Sequence, residues 1–131
     1  MLFLEWFHFI FNAVCSLRPS GVEGSYSRAA RDLQAASDRR KAKGILNTLK
    51  ENLTARIPDE TVFVDKLKEL KFYNGYTRDK KLIQYIFNKI ERSKLVTNEL
   101  VPENISLEHI LCQSNNDKEI IGKIGNLLPL S

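Results

Sequence analysis

Between Thr77 and Ser93 the apolar residues Leu82, Ile83, Ile86, Phe87 and Ile90 recur at steps of three and four, with lysines and Arg78 at the positions between them. That spacing follows a helical period and fits no strand, so the inward face belongs to these five residues and the basic side chains face out. A helix with one apolar face has to cover it, and the rest of the chain must supply the cover. Phe3, Trp6, Phe7, Ile10, Ala13, Val14 and Leu17 repeat the same steps near the start and share one broad face of another helix.

The punctuation between these runs sets the remaining elements. Pro19-Ser-Gly-Val-Glu-Gly24 is a loop that stops the first helix, and Ser25 or Ser27 then caps a second. From Tyr26 to about Leu53 the chain is helix-prone, polar at first and amphipathic over Ile45, Leu46, Leu49 and Leu53, with Gly44 as a break or bend. One long helix and two shorter ones both fit. Pro58 and Asp59 open a third helix whose apolar side is Val62, Phe63, Leu67 and Leu70. Phe72-Tyr-Asn-Gly-Tyr76 is an aromatic turn, after which Thr77 caps the fourth helix. Beyond Ser93 the pattern changes, because Pro102 breaks helix and Val101 to Leu111 reads as extended chain or a short strand. Asp117 to Lys123 adds one more helical turn. The fold class is therefore mainly α, a helical domain of four or five helices.

At 131 residues the chain suits one modest core, with residues 1–95 as a helical scaffold and residues 96–131 as a smaller C-terminal motif of the same compact unit. Its charge of +4 makes the surface mildly attractive to polyanions, a weak pointer taken alone. Cys15 and Cys112 are far apart and show no zinc-ligand spacing, which argues against a disulfide framework and fits reduced thiols in a cytoplasm. The apolar opening lacks a basic leader, carries Glu5 and His8, and is too short to span a bilayer, which takes ~20 apolar residues. No membrane association is expected. A chain that starts abruptly inside an apolar helix reads as a fragment of a longer protein.

The chemistry-bearing stretch is Ile105-Ser-Leu-Glu-His-Ile-Leu-Cys-Gln-Ser114, followed after a polar spacer by Ile124-Gly-Asn-Leu-Leu-Pro-Leu-Ser131. Hydrolysing a phosphodiester requires a base that takes a proton from water and a cation that holds the charge building on phosphate and leaving oxygen. An imidazole titrates near neutrality and suits the first task, which makes His109 the candidate base. A hard cation such as Mg2+ prefers oxygen ligands, and Glu108 is the nearest carboxylate. Successive side chains on a regular strand leave opposite faces, so Glu108 and His109 can serve one ion only where the strand ends or twists. Asn126 can hydrogen-bond the backbone of the loop carrying the histidine and fix its ring, while Gly125 permits a sharp turn or close approach.

These two segments resemble the C-terminal nuclease domain of GmrSD-type restriction endonucleases. The resemblance extends upstream through Phe7 to Ala13, Arg18 to Gly21, Tyr26 and Ser27, and Lys80 to Ile86, and so covers nearly the whole chain. It implies a metal-dependent His-Me finger (HNH-like) DNA endonuclease of bacterial defence against phage or foreign DNA, with the helices ending in a small, incomplete ββα-metal element. His109 matches the general base, Glu108 the acidic position before it and a metal ligand, and Asn126 the central asparagine. The implied cofactor is a divalent metal, Mg2+ or alternatively Mn2+, and the implied partners are DNA and an N-terminal nucleotide-binding domain or subunit that this sequence does not contain. Two departures stand out. Cys112 replaces the family's usual proline after the His-Ile-Leu step. The family also continues into a helix that brings a further asparagine or histidine to the metal, and this sequence ends before it, so the fragment is expected to be weakly active or inert.

Several residues have plainer readings. His8 lies on an aromatic helix face and reads as packing. Arg28, Arg31, Arg39, Arg40, Lys41 and Lys43 read as a solvated helix face, though they could follow a DNA backbone. Cys112 has no base placed to activate it. Phe72, Tyr73 and Tyr76 read as packing rather than base-stacking groups. The rival to an endonuclease is a non-catalytic helical module that binds DNA or a protein partner.

Overall fold

A computed structural model describes residues 2–94, 105–114 and 117–130. The chain divides into two compact units, Met1–Lys66 and Leu67–Ser131. The expected extended stretch from Val101 to Asn104 lies outside the described residues. Helix dominates, with one small sheet, in keeping with a mainly α class.

In the first unit, helix α1 (Phe3–His8) runs directly into a π-helical segment (Phe9–Val14). The wider winding of that segment shifts which side chains point inward. Phe7, Ile10, Phe11 and Val14 are buried, whereas Trp6 and Ala13 of the expected face are exposed. The rings of Phe7 and Phe11 stack at 5.1 Å.

Helix α2 (Val22–Ala35) begins earlier than a serine cap would place it. Gly21 occupies the cap position in the left-handed region at φ 86°, and Ser25 instead donates its hydroxyl back to the Gly21 carbonyl at 3.0 Å. A glycine takes that backbone geometry without the Cβ clash that penalises other residues. The chain breaks after Ala35, not at Gly44, because Asp38 caps α3 (Arg39–Thr54) by accepting the Lys41 N–H at 2.8 Å. A side chain that satisfies an orphan N–H starts a new helix where propensity alone would have continued the old one. Gly44 sits inside α3. Phe7, Phe11, Val22, Ala29, Leu49 and Leu53 form the core of this unit, joined by Phe3, Tyr26 and Ile45. Helix α4 (Glu60–Lys68) follows Pro58 and Asp59, with the Asp59 carbonyl taking the Phe63 N–H; Val62 is exposed rather than inward.

In the second unit, α5 (Lys80–Lys94) buries Ile83 completely and Leu82, Ile86 and Phe87 partly, while Ile90 is exposed. At the start of this helix the Thr77 backbone carbonyl accepts the Lys80 N–H at 3.2 Å. Strands β1 (Ser106–His109) and β2 (Leu127–Leu130) pair antiparallel, with His109 opposite Leu127 and Glu108 opposite Leu128. Helix α6 (Lys118–Ile121) is a single turn capped by Asp117, and a 3-10 turn (Ile124–Asn126) leads into β2. Leu107 and Leu127 face Leu70 and Ile83 in the second core, against which Phe72 and Ile124 also pack.

Candidate active site

β1 alternates as its period requires. Leu107 is buried and His109 half-buried on one face, and Ser106 and Glu108 are exposed on the other. The strand is short but regular through this pair, so it does not turn Glu108 toward the ring. Sequence spacing placed the two side by side; the pleat sends them apart.

His109 ends β1 with both ring nitrogens engaged. Nε2 lies 2.7 Å from the Phe72 carbonyl oxygen and Nδ1 lies 3.0 Å from Nε2 of Gln113. The tautomer follows from the partners at each end. A carbonyl only accepts, so Nε2 carries the hydrogen and donates it. At the other end the Asn74 backbone N–H donates to Oε1 of Gln113 at 2.9 Å, which turns the amide NH2 toward the ring. Nδ1 is therefore the acceptor, and its lone pair is the basic site of the imidazole. The Phe72 ring stacks on the imidazole at 5.5 Å between centroids.

The segment carrying that carbonyl is itself held. Phe72 N–H donates to the Gly122 carbonyl at 2.9 Å, and Lys71 forms an isolated antiparallel bridge with Lys123. Lys71 N–H also donates to the Asp79 carboxylate at 3.2 Å. Phe72 thus does more than pack, and the atom that bonds the ring is on its backbone, where no residue type could have advertised it.

Asn126 is buried and uses both ends of its amide on backbone groups. Oδ1 accepts the Leu111 N–H at 2.9 Å and Nδ2 donates to the Ile121 carbonyl at 2.8 Å. Its own carbonyl takes the Ile110 N–H at 2.9 Å. The two residues after His109 are thereby tied to the turn before β2. Gly125 needs neither a sharp turn nor a close approach: its φ is not positive, and an added Cβ would meet nothing within 4 Å. Gln113, which the sequence reading passed over, stands four residues beyond His109 and completes the ring's contacts.

No model of a known protein family, no curated protein and no solved structure matches this chain.

The donors around the ring are largely spoken for. Oε1 of Gln113 is bonded to Asn74, Oδ1 of Asn126 is bonded to Leu111, and Glu108 faces away. Among the described residues no group of three or more His, Cys, Asp or Glu side chains could hold a metal ion. What the described residues at His109 offer by themselves is one oriented, half-buried imidazole.

Cys112 and Ser114 border the site. The exposed Cys112 thiol accepts a hydrogen bond from the Ser114 hydroxyl at 3.1 Å, which lowers its pKa from the ordinary thiol value. In the first unit His8 packs among aromatic rings but at the surface rather than in the core: it is exposed, stacks on Tyr26 at 5.8 Å between centroids, and bonds Asn12 Oδ1 at 2.6 Å and the Tyr26 hydroxyl at 2.8 Å. Arg28, Arg31, Arg39, Arg40, Lys41 and Lys43 are all exposed. A groove of about 520 Å³ between α2 and α3 is lined by Arg28, Asp32, Lys41 and small residues including Ala29 and Gly44. Among the described residues, no helix is long and apolar enough to cross a membrane.

Proposed function

We propose that the second unit carries the general base of a His-Me finger endonuclease that hydrolyses DNA phosphodiesters, β1 and β2 being the strands of its ββα element. The observation that carries this reading is the state of His109: the Phe72 carbonyl holds the hydrogen on Nε2 and leaves the Nδ1 lone pair as the basic site at the strand's end. In the reaction, Nδ1 takes a proton from a water whose oxygen attacks phosphorus; the P–O bond to the leaving oxygen breaks, and that oxygen departs with a proton from solvent. Asn126 acts by positioning the loop. The reading brings with it a divalent ion, Mg2+ or Mn2+, and a cytoplasmic setting in bacterial defence; Glu108, exposed on the opposite face of β1 from the His109 ring, is not placed to share that ion with it.

The test is nicking of supercoiled plasmid by the full gene product with Mg2+ or Mn2+, and with chelator. Cutting that needs the ion and falls about 100-fold or more in His109→Ala, the scale of a lost general base, supports the reading. Cutting that survives His109→Ala undiminished overturns it. The exposed basic residues of α2 and α3 favour a second reading, a non-catalytic DNA-binding module, which predicts salt-dependent binding with no cutting at all.

A further inference from the structure

Gln113 sits where an attacking water would have to sit. Its amide nitrogen stands 3.0 Å from the Nδ1 lone pair, at hydrogen-bonding distance for a neutral donor. A nucleophilic water would offer an O–H to that same lone pair, and the imidazole has only one there. The amide and the water exclude each other.

The amide is also aimed by something other than the ring. Asn74, whose N–H grips Oε1, belongs to a tight turn closed by reciprocal backbone bonds between Tyr73 and Tyr76 at 3.1 and 2.9 Å. Gly75 in that turn has φ 94°. A side chain gripped at its oxygen presents its NH2 in a fixed direction. Gln113 is nonetheless exposed, and a neutral hydrogen bond at the surface exchanges readily with water.

We propose that Gln113 is a displaceable cap on the base: its amide occupies the Nδ1 lone pair of the Nε2–H tautomer, and gives up its place to water when a phosphodiester enters. This rests on the reading of His109 as the base, but its test is free of DNA. Gln113 is in this view a positioning residue, acting on the reaction only through the ring it holds.

The experiment compares the wild-type chain with Gln113→Ala and Gln113→Met, the latter keeping length while losing the donor. Diethyl pyrocarbonate modification is followed at His109 by peptide mass spectrometry, with His8 as internal reference because both its ring nitrogens are bonded away from this loop. Long-range 1H–15N spectra report which ring nitrogen is protonated and whether the other accepts a hydrogen bond. The expected result is His109 modification about ten-fold faster relative to His8 in Gln113→Ala, the factor carried by one net hydrogen bond of this kind. The 15N signal of Nδ1 should move toward the free-acceptor position in both variants, with Nε2 still protonated. An unchanged rate and an unchanged Nδ1 signal in variants of normal circular dichroism overturn the cap. Loss of plasmid cutting bears on the nuclease reading alone, since the modification and the spectra need no substrate.

Discussion

Asn126 and Leu111 are joined by a hydrogen bond of 2.9 Å from the Leu111 backbone N–H to the buried Oδ1 of Asn126, two residues beyond His109. The same amide donates to the Ile121 carbonyl, so one side chain satisfies two backbone groups that the turn leaves unpaired. Asn126→Ala strands both. An unsatisfied buried polar group costs about 1–3 kcal/mol, and urea unfolding should show a loss of at least that size. Asn126→Asp keeps an acceptor for Leu111 but turns an oxygen on the Ile121 carbonyl, and should also destabilise. Wild-type midpoints for both variants would show that the clamp carries no stability.

Two glycines should respond to alanine with opposite signs. Gly75 lies in the left-handed region at φ 94°, where a Cβ meets no atom within 4 Å but the backbone itself is strained. The left-handed conformation costs an L-residue roughly 1–2 kcal/mol, so Gly75→Ala should lower stability by about that amount. It should also loosen the turn that holds Gln113 through Asn74. Gly44 lies inside α3 with open space around its Cβ position, and Gly44→Ala should raise stability by about 0.5–1 kcal/mol. Thermal unfolding of the two variants checks both signs, and an equal response from them would contradict the account.

How far the sequence could be read depends on where each determinant sits. Helical periodicity is a property of side chains alone, which is why α5 and the segment around Leu49 and Leu53 were legible. The break before α3 depends on a single cap, Asp38, whose effect competes with good helix formers on either side, and the inward face of the first helix was shifted by a π-helical stretch that no simple period encodes. At the candidate site, His109 and Asn126 could be singled out because the groups that form its hydrogen bonds are on their side chains. The Phe72 carbonyl and the Asn74 N–H could not, because any residue carries those groups, and which of them reaches the ring depends on tertiary packing.

The two thiols should separate by reactivity. Burial raises the pKa of Cys15, with the charge of Lys66 opposing in part, whereas the Ser114 hydroxyl lowers that of Cys112. The thiolate is the reactive form, so the labelling curve of Cys112 against pH should lie on the acid side of that of Cys15. Pulsed iodoacetamide labelling near neutral pH should modify Cys112 first. Ser114→Ala removes the stabilising donor and should move the Cys112 curve to higher pH while leaving Cys15 in place. Equal curves for the two thiols would refute this assignment.

Ile83 and Ile90 belong to the same apolar stripe of α5 yet should differ sharply on truncation. Ile83 is fully buried among Leu70, Leu107 and Leu127, whereas Ile90 is 41% exposed. Isoleucine-to-alanine changes in a packed core cost about 2–5 kcal/mol, because the transfer energy of the lost methyl groups is compounded by the cavity they leave. Ile83→Ala should fall in that range. Ile90→Ala removes a side chain that water already reaches, and should cost less than about 1 kcal/mol. The buried isoleucine also lies beneath the two strands that carry His109 and follow Asn126, so Ile83→Ala should broaden the His109 ring signals in NMR spectra while Ile90→Ala leaves them sharp. Comparable destabilisation by the two changes would place the core of this unit elsewhere than under β1 and β2.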